Sequence, residues 1–336
     1  MNQKEIMVSI VCITYNHEKY IKDALEGFLS QKTDFSYEVI VHDDASTDHT
    51  ADILREYEQK YPNIIKPVYQ TENQFSKLRL QGKAVIMSCL PLIKGKYVAT
   101  CEGDDYWIDC YKLQKQVDFL EKNPDYVACV HNTKIDDLIT PAEATCQFRV
   151  INSSTKPYDI TFSEAVQNGS GTVCQTSSFF CRGQYYRTIY SDPRPDFFYK
   201  AKGFGDWAVI IYLLLNGKVR YLPDIMSVYR YGVEGSYTLQ MRNTTESIKE
   251  KKILLEFIEA VNEYTNFQYS SVLYSAHKIY KFQLAILTKD YDTVRKKENH
   301  NLWAALSRKG KIKIFLECKI PILFKLYKII KDKKHG

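Results

Sequence analysis

The chain has 336 residues, of which 45% are hydrophobic and 26% charged, and its net charge is +6. That length suits one large or two modest domains, and the composition excludes wholesale disorder. The positive charge is too sparse for a nucleic-acid binder, because much of the excess sits near the end, in Lys309 to Lys334.

Strand and helix signals alternate over the first 130 residues. Met7 to Thr14 reads as a continuous apolar strand. His17 to Gln31 follows as a helix, with Tyr20, Ile21, Ala24, Leu25, Phe28 and Leu29 on one face. Tyr37 to Val41 is the second strand, and Asp48 to Tyr61 a helix halted by Pro62. Ile64 to Tyr69 is predicted as a third strand at a sheet edge, since Pro67 lacks a donor. Gly82 to Lys94 is predicted as a helix closed by Gly95. Tyr97 to Cys101 is a strand, Tyr111 to Asn123 a helix ended by Pro124, and Tyr126 to Val130 another strand.

From 132 to about 160 the signals weaken, which predicts a long loop. Val173 to Arg182 reads as a strand, and Asp206 to Asn216 as a strongly apolar helix capped by Gly217. Val219 to Leu222 and Ser227 to Tyr231 read as two short strands. Beyond Thr244 the pattern turns helical, over Thr244 to Tyr264 and Gln268 to Thr288. The basic end then mixes lysines with Ile312, Phe315, Leu323 and Ile330. Such a segment suits an anionic membrane surface or a final packed helix with snorkelling lysines.

No uncharged run reaches the roughly 18 residues of a spanning helix. The start, Met1 to Met7, is polar and lacks a signal-peptide pattern. Nine cysteines, none in a CxxC pair, read as buried reduced thiols of a cytosolic protein. His17, His42 and His131 lack zinc-ligand spacing and read as local polar residues.

The alternation predicts an α/β fold with a mainly parallel sheet and helices on both faces. Ligands of such sheets bind beyond the carboxyl ends of the strands. Two acidic clusters lie there: Asp43-Asp44-Ala45-Ser46-Thr47-Asp48 after one apolar run, and Glu102-Gly103-Asp104-Asp105 after another. Packed carboxylates repel each other, and a hard divalent cation with oxygen ligands is their natural partner. A solvated turn explains most single acidic clusters; two in one α/β pattern favour a nucleotide and metal site.

Together with Val8-Ser9-Ile10-Val11-Cys12-Ile13-Thr14-Tyr15-Asn16, these clusters resemble the family 2 glycosyltransferases of bacterial surface-polysaccharide type, over roughly residues 6 to 236. The resemblance implies a GT-A fold at 1–236, with a nucleotide-binding half at about 1–131 and an acceptor half at about 132–236. Residues 237–336 remain as a helical extension. It implies transfer of a sugar from a nucleotide-sugar, a UDP-sugar by the habit of the family, with Mn²⁺ or Mg²⁺ and inversion at the anomeric carbon. The implied acceptor is a hydroxyl on a glycan or lipid-linked glycan. The implied location is the cytoplasm, with attachment to the inner face of the cell membrane left open by the basic tail.

The family motifs carry over residue by residue. Thr14 matches a nucleotide contact. Asp44, with Asp43 beside it, matches an acceptor of hydrogen bonds from base or ribose, whose N–H and hydroxyl groups are donors. Ser46, Thr47 or Asp48 can cap the following helix at the same time. Asp104 matches the metal-binding Asp of the Asp-x-Asp motif. Glu102 stands at its first Asp, and Asp105 beside it is left to metal, ribose or acceptor. Asp206 matches the general base that deprotonates the acceptor, with Gly205 where the family often has Glu; a helix-terminal carboxylate is the competing reading. Arg230 lies in a Tyr-Arg-x-x-x-Gly-Ser loop in which Tyr231 replaces a frequent His. It could clamp a diphosphate or be an ordinary strand residue. Lys77 and Arg79 are further phosphate candidates. The absence of a Gln-x-x-Arg-Trp motif argues for one sugar per encounter. Two alternatives stay open: a nucleotidyltransferase, although the usual Gly-rich basic loop after the first strand is missing, and a decayed membrane-peripheral binding module, kept alive by Glu102, Gly205 and Tyr231.

Overall fold

Strand β1 (Ile6–Thr14) lies between β2 (Ser36–Asp43) and β4 (Tyr97–Glu102), parallel to both. The structure is a computed structural model and describes residues 5–77, 83–139, 149–168, 173–191, 193–201 and 205–319. Strand β3 (Ile65–Tyr69) pairs in parallel with β2 and ends the sheet, so Pro67 does sit on an edge. Beyond β4 the sheet continues through β9 (Phe180–Arg182), which is antiparallel to β4 and to β6 (Tyr126–Asp137). Strand β10 (Lys218–Tyr231) then runs parallel to β6, and β5 (Tyr106–Trp107) closes the row antiparallel to β10. The short strands β7 (Arg149–Val150) and β8 (Tyr158–Asp159) add to β6 and β10. The long ladders are therefore parallel, and the antiparallel pieces are short.

The two-residue period of a strand explains the core. Val8, Ile10 and Cys12 share one face of β1, as do Val39 and Val41 on β2 and Tyr97, Ala99 and Cys101 on β4. They pack with Ile21, Ala24, Leu25 and Phe28 of the helix Ile21–Leu29, and with Leu113, Val117 and Leu120 of the helix Lys112–Lys122. Val11, Ile40 and Val98 are buried on the opposite face, as expected of a parallel sheet covered on both sides.

Four expectations need correction. The helix predicted over Gly82 to Lys94 is the helix Lys83–Cys89 followed by a 3₁₀ turn, Leu90–Leu92, because Pro91 cannot continue an α-helix. The long loop from 132 to 160 is mostly absent from the described residues. Strand β6 runs on to Asp137, and β7 and β8 follow. The strand predicted over Val173 to Arg182 shrinks to β9, preceded by a 3₁₀ turn at Thr176–Ser178. The two strands predicted after Gly217 are one, β10, whose register slips between Leu222 and Ser227, around Pro223.

Contacts divide the chain into two units, Met1–Gln240 and Met241–Gly336. In the second, Thr244–Tyr264 starts at Asn243, whose side chain accepts from the Thr245 N–H at 2.8 Å. It packs with Ser270–Thr288, which ends at Lys289 in the left-handed region. Shorter helices follow, the last at Arg308–Lys319. No described helix is long and apolar enough to cross a membrane. The basic tail past Lys319 lies outside the described residues.

Candidate active site

Strands β1, β2 and β4 end side by side, with Thr14 opposite Asp43 and Ile13 opposite Glu102. The loops that leave these ends are tied to one another. The Asp44 N–H donates to the Thr14 carbonyl at 3.0 Å, and the Gly103 N–H to the Ile13 carbonyl at 2.9 Å. Asn16 accepts from the Thr47 N–H at 2.8 Å, its own N–H donates to Ser46 Oγ at 2.9 Å, and the His17 N–H donates to Thr50 Oγ1 at 2.8 Å. Asn16 and Ala45 hold positive φ angles of 54° and 62°, local strain that these bonds support.

Asp43 and Asp44 are both buried. Asp43 accepts from the N–H and hydroxyl of Ser46, closing its own turn. Asp44 Oδ1 and Oδ2 accept the N–H groups of Gln74 and Phe75 at 2.8 and 3.0 Å, which fastens the segment after β3 against the end of β2. Asp48 holds the helix start as the capping reading expects, accepting the Thr50 N–H at 2.9 Å and the Glu18 N–H at 3.0 Å. Arg79 and the side chain of Lys77 lie outside the described residues.

The second acidic cluster forms the turn between β4 and β5. Gly103 is needed at its apex, since a Cβ there would meet Thr14 Oγ1 at 2.6 Å and His17 Nδ1 at 3.0 Å. Asp104 is half-buried, with Oδ2 4.0 Å from His17 Nε2. Asp105 is buried; its Oδ1 accepts the Arg230 N–H at 3.0 Å, while Oδ2 has no hydrogen-bond partner. Burial, then repulsion from Asp104 and Glu102, holds the Asp105 carboxyl well above the usual range. Glu102 keeps a solvent-facing edge, yet the surrounding protein withholds water, and Asp104 and Asp206 repel it. Together they push its carboxyl up to about 8.

Asp206 lies in the first turn of the helix Gly205–Asn216, and its Oδ1 accepts the Trp207 N–H at 2.8 Å. Trp207 is buried and donates to the Ala165 carbonyl at 2.6 Å, which anchors the helix start. Asp206 is among the groups that repel Glu102, so the start of this helix lies within electrostatic reach of the end of β4. Residues 202–204 lie outside the described set. Arg230, at the end of β10, sits under the acidic turn and is almost fully buried. Its Nη1 donates to the Asp104 carbonyl at 2.8 Å, and its Nη2 pairs with Asp23.

The structure adds His17 to the site, between Thr14 Oγ1 at 3.2 Å and Asp104. Burial lowers its pKa, against a raising effect of Asp104. Thr14 stands out in the sequence, where His17 reads only as a local polar residue; the fold is what brings the imidazole to Asp104. Among the described residues no three His, Cys, Asp or Glu side chains form a cage for an ion. The acidic turn fits a different kind of site, in which one or two carboxylates hold a hard cation and substrate phosphates complete its shell. A cation there would favour the ionised form of the carboxyls that burial and mutual repulsion now disfavour, and Asp105 Oδ2 has no hydrogen-bond partner to compete with it.

Parallel strand ends that carry an acidic turn, with a helix-borne Asp within electrostatic reach of it, define a GT-A-like protein. The model of the family "Glycosyl transferase family 2" matches residues 9–183. The chain belongs to that family. It is 33% identical over 229 residues to the uncharacterized protein Rv1520 of Mycobacterium tuberculosis, covering 68% of this chain and 60% of that protein. The match therefore spans about three-fifths of that relative's length. It is 35% identical over 116 residues to the UDP-Glc:alpha-D-GlcNAc-diphosphoundecaprenol beta-1,3-glucosyltransferase WfaP of Escherichia coli, covering 34% of this chain and 41% of that protein. Among solved structures, the mannosyltransferase PcManGT of Pyrobaculum calidifontis, in complex with GDP-Man and Mn²⁺, shares the fold. Its TM-score is 0.55 at 14% identity, covering 94% of this chain and 87% of that one.

Proposed function

We propose that this chain is a divalent-metal-dependent, inverting glycosyltransferase that moves one sugar from a nucleoside-diphosphate sugar to an acceptor hydroxyl. The observation that carries this reading is the acidic turn at the end of β4, where buried Asp105 leaves Oδ2 without a hydrogen-bond partner and Asp104 and Asp206 both repel Glu102. The donor we favour is a UDP-sugar and the acceptor a glycan or lipid-linked glycan, in keeping with the donor and acceptor in the name of the Escherichia coli relative.

In this reading Thr14, Asp43 and Asp44 line the nucleoside end, at the tips of β1 and β2. Asp44 would exchange or share its present backbone partners with a base or ribose donor, since a carboxylate only accepts. Asp104 and Glu102 would hold Mn²⁺ or Mg²⁺, with Asp105 supporting the turn. The cation would neutralise charge growing on the departing diphosphate. Asp206 takes the proton of the acceptor hydroxyl as its oxygen attacks the anomeric carbon. The bond from that carbon to the diphosphate oxygen breaks on the opposite face, so the configuration inverts. The rigid start of the Asp206 helix keeps its carboxylate in place for that transfer.

The test is a thermal-shift screen of UDP, GDP, dTDP and CMP, each with and without Mn²⁺. UDP should stabilise the protein alone and more strongly with Mn²⁺, and Asp104→Ala should abolish the Mn²⁺-dependent part. Asp206→Asn should bind UDP and Mn²⁺ as before but lose about 10²- to 10⁴-fold in turnover, the usual weight of a general base. Normal turnover in Asp206→Asn would remove it from the mechanism. A wild-type protein indifferent to every nucleotide would sink the proposal.

A further inference from the structure

Arg230 makes more contacts with the acidic turn than any phosphate-binding role requires. Its backbone N–H donates to Asp105 Oδ1 at 3.0 Å and its Nη1 to the Asp104 carbonyl at 2.8 Å. Its Nη2 pairs with Asp23, on the helix Ile21–Leu29. The guanidinium carbon lies 4.4 Å from the ring centre of Tyr106 and 5.1 Å from that of Tyr20. Only 8% of Arg230 is exposed. A planar guanidinium bridges acceptors and stacks on rings in a way that an ammonium cannot.

We propose that Arg230 is a positioning residue: buttressed by Asp23, Tyr20 and Tyr106, it fixes the Asp104–Asp105 turn in the geometry that receives the cation and the diphosphate. The proposal rests on the reading of the site given above. The mechanism is geometric. Holding the Asp104 carbonyl from beneath sets the direction in which the Asp104 side chain leaves the turn, and the neighbouring bond to Asp105 removes the remaining freedom. The guanidinium charge also opposes the repulsion that Glu102 and Asp104 exert on Asp105. Asp23 is half exposed, so its pairing with Arg230 is screened and contributes orientation more than stability. The N–H groups that hold the Asp104 carbonyl and Asp23 are committed to the protein itself.

Two readouts test it on the full chain. The first is amide hydrogen exchange over Gly103 to Tyr106 with no ligand present. The Gly103 and Asp105 amides are bonded to the carbonyls of Ile13 and Glu102 at 2.9 and 3.1 Å, so loosening of the turn registers there. Arg230→Gln should speed exchange by about tenfold, the weight of a hydrogen bond to a charged group, and Asp23→Asn should speed it by less. The second is Mn²⁺ affinity at saturating UDP, followed by electron paramagnetic resonance. Arg230→Gln and Arg230→Lys should each weaken it by about tenfold or more, as loss of a ligand's supporting partner does, and Asp23→Asn by a few-fold. Metal-free UDP affinity should not change.

Asp23→Asn is the decisive variant, because it removes the charge of a half-exposed side chain while keeping its shape. Unchanged exchange in both Asp23→Asn and Arg230→Gln overturns the proposal. So does faster exchange with unaltered Mn²⁺ affinity. Loss of metal-free UDP binding in Arg230→Gln, with Asp23→Asn like wild type, would make Arg230 a phosphate ligand instead. If the wild type binds no Mn²⁺ with UDP, the proposed function falls, and the exchange data still decide whether Arg230 holds the turn.

Discussion

Lys112 allows a quantitative check on how dry the floor beneath the site is. It opens the helix Lys112–Lys122 and is fully buried. Its Nζ donates to Gln116 Oε1 at 2.7 Å and lies 3.9 Å from the ring centre of Trp107. No carboxylate is bonded to it, and burial lowers its pKa from 10.5 to about 7, against weak opposing effects of Cys101, Cys129 and Asp109. For a lysine whose folded pKa is depressed, the unfolded chain binds more protons between about pH 7 and 10.5, so the folded state gains stability as pH rises through that window. The cost of keeping Lys112 buried comes to about 4 kcal/mol at pH 7 and about 2 kcal/mol at pH 9, because one pKa unit is worth about 1.4 kcal/mol. Lys112→Met keeps the volume and removes the titration. Urea unfolding of wild type and variant at pH 7, 8 and 9 should show the wild type gaining about 2 kcal/mol relative to the variant across that range. The comparison cancels groups common to both proteins. A difference that does not change with pH would refute the reasoning and show that Lys112 stays charged inside with hydration or pairing of its own.

Two further outcomes follow from the site. Gly103→Ala should destabilise by about 1–3 kcal/mol, the cost of overpacking, and should weaken UDP binding, because its Cβ would press on Thr14 and His17; unchanged melting and binding would show that the two strand ends can part freely. The raised carboxyl of Glu102 contributes stability that is present below about pH 4.5 and is lost as pH rises toward about 8. The melting temperature of Glu102→Gln without ligand should therefore fall less than that of wild type over this range, while Mn²⁺ with UDP should stabilise the wild type more at pH 8 than at pH 6. Equal pH slopes for the two proteins would remove Glu102 from the charge cluster.

The first half of the sheet was readable because its strands are apolar on both faces and are punctuated by Gly95, Pro62 and Pro124. The second half was readable only in part, with β6 cut short and β10 split, because both strands bury polar side chains that look like loop. In β6, Asn132 exchanges hydrogen bonds with the backbone of Asn152 at 2.8 and 3.1 Å, and Thr133 Oγ1 meets Ser227 Oγ at 2.9 Å. Ser177 Oγ, in the 3₁₀ turn before β9, joins Ser227 Oγ at 3.0 Å. Each of these polar groups is tolerated inside because its partner comes from a distant segment, and hydropathy along the chain carries no trace of the pairing.

The site divides along the same line. Carboxylates at strand ends announce themselves, since an unpaired negative charge beside an apolar run needs an explanation wherever the chain folds. Gly103, His17 and Asp23 do not, because their importance lies in what they touch: Gly103 in the approach of Thr14, His17 in its distance to Asp104, Asp23 in its pairing with a residue 207 positions away. Arg230 shows why a motif match is insufficient to assign a role. A cation at a strand end beside an acidic turn can meet a substrate's phosphate or can offset the turn's own carboxylates, and both demands select Arg at the same position. Tyr20, Tyr106 and Asp23 favour the second demand, since they lie against the guanidinium while its Nη1 donates to the Asp104 carbonyl. A phosphate ligand needs donors facing the cleft, and a buttress needs donors used behind it; the two guanidinium bonds to the Asp104 carbonyl and to Asp23 are of the second kind.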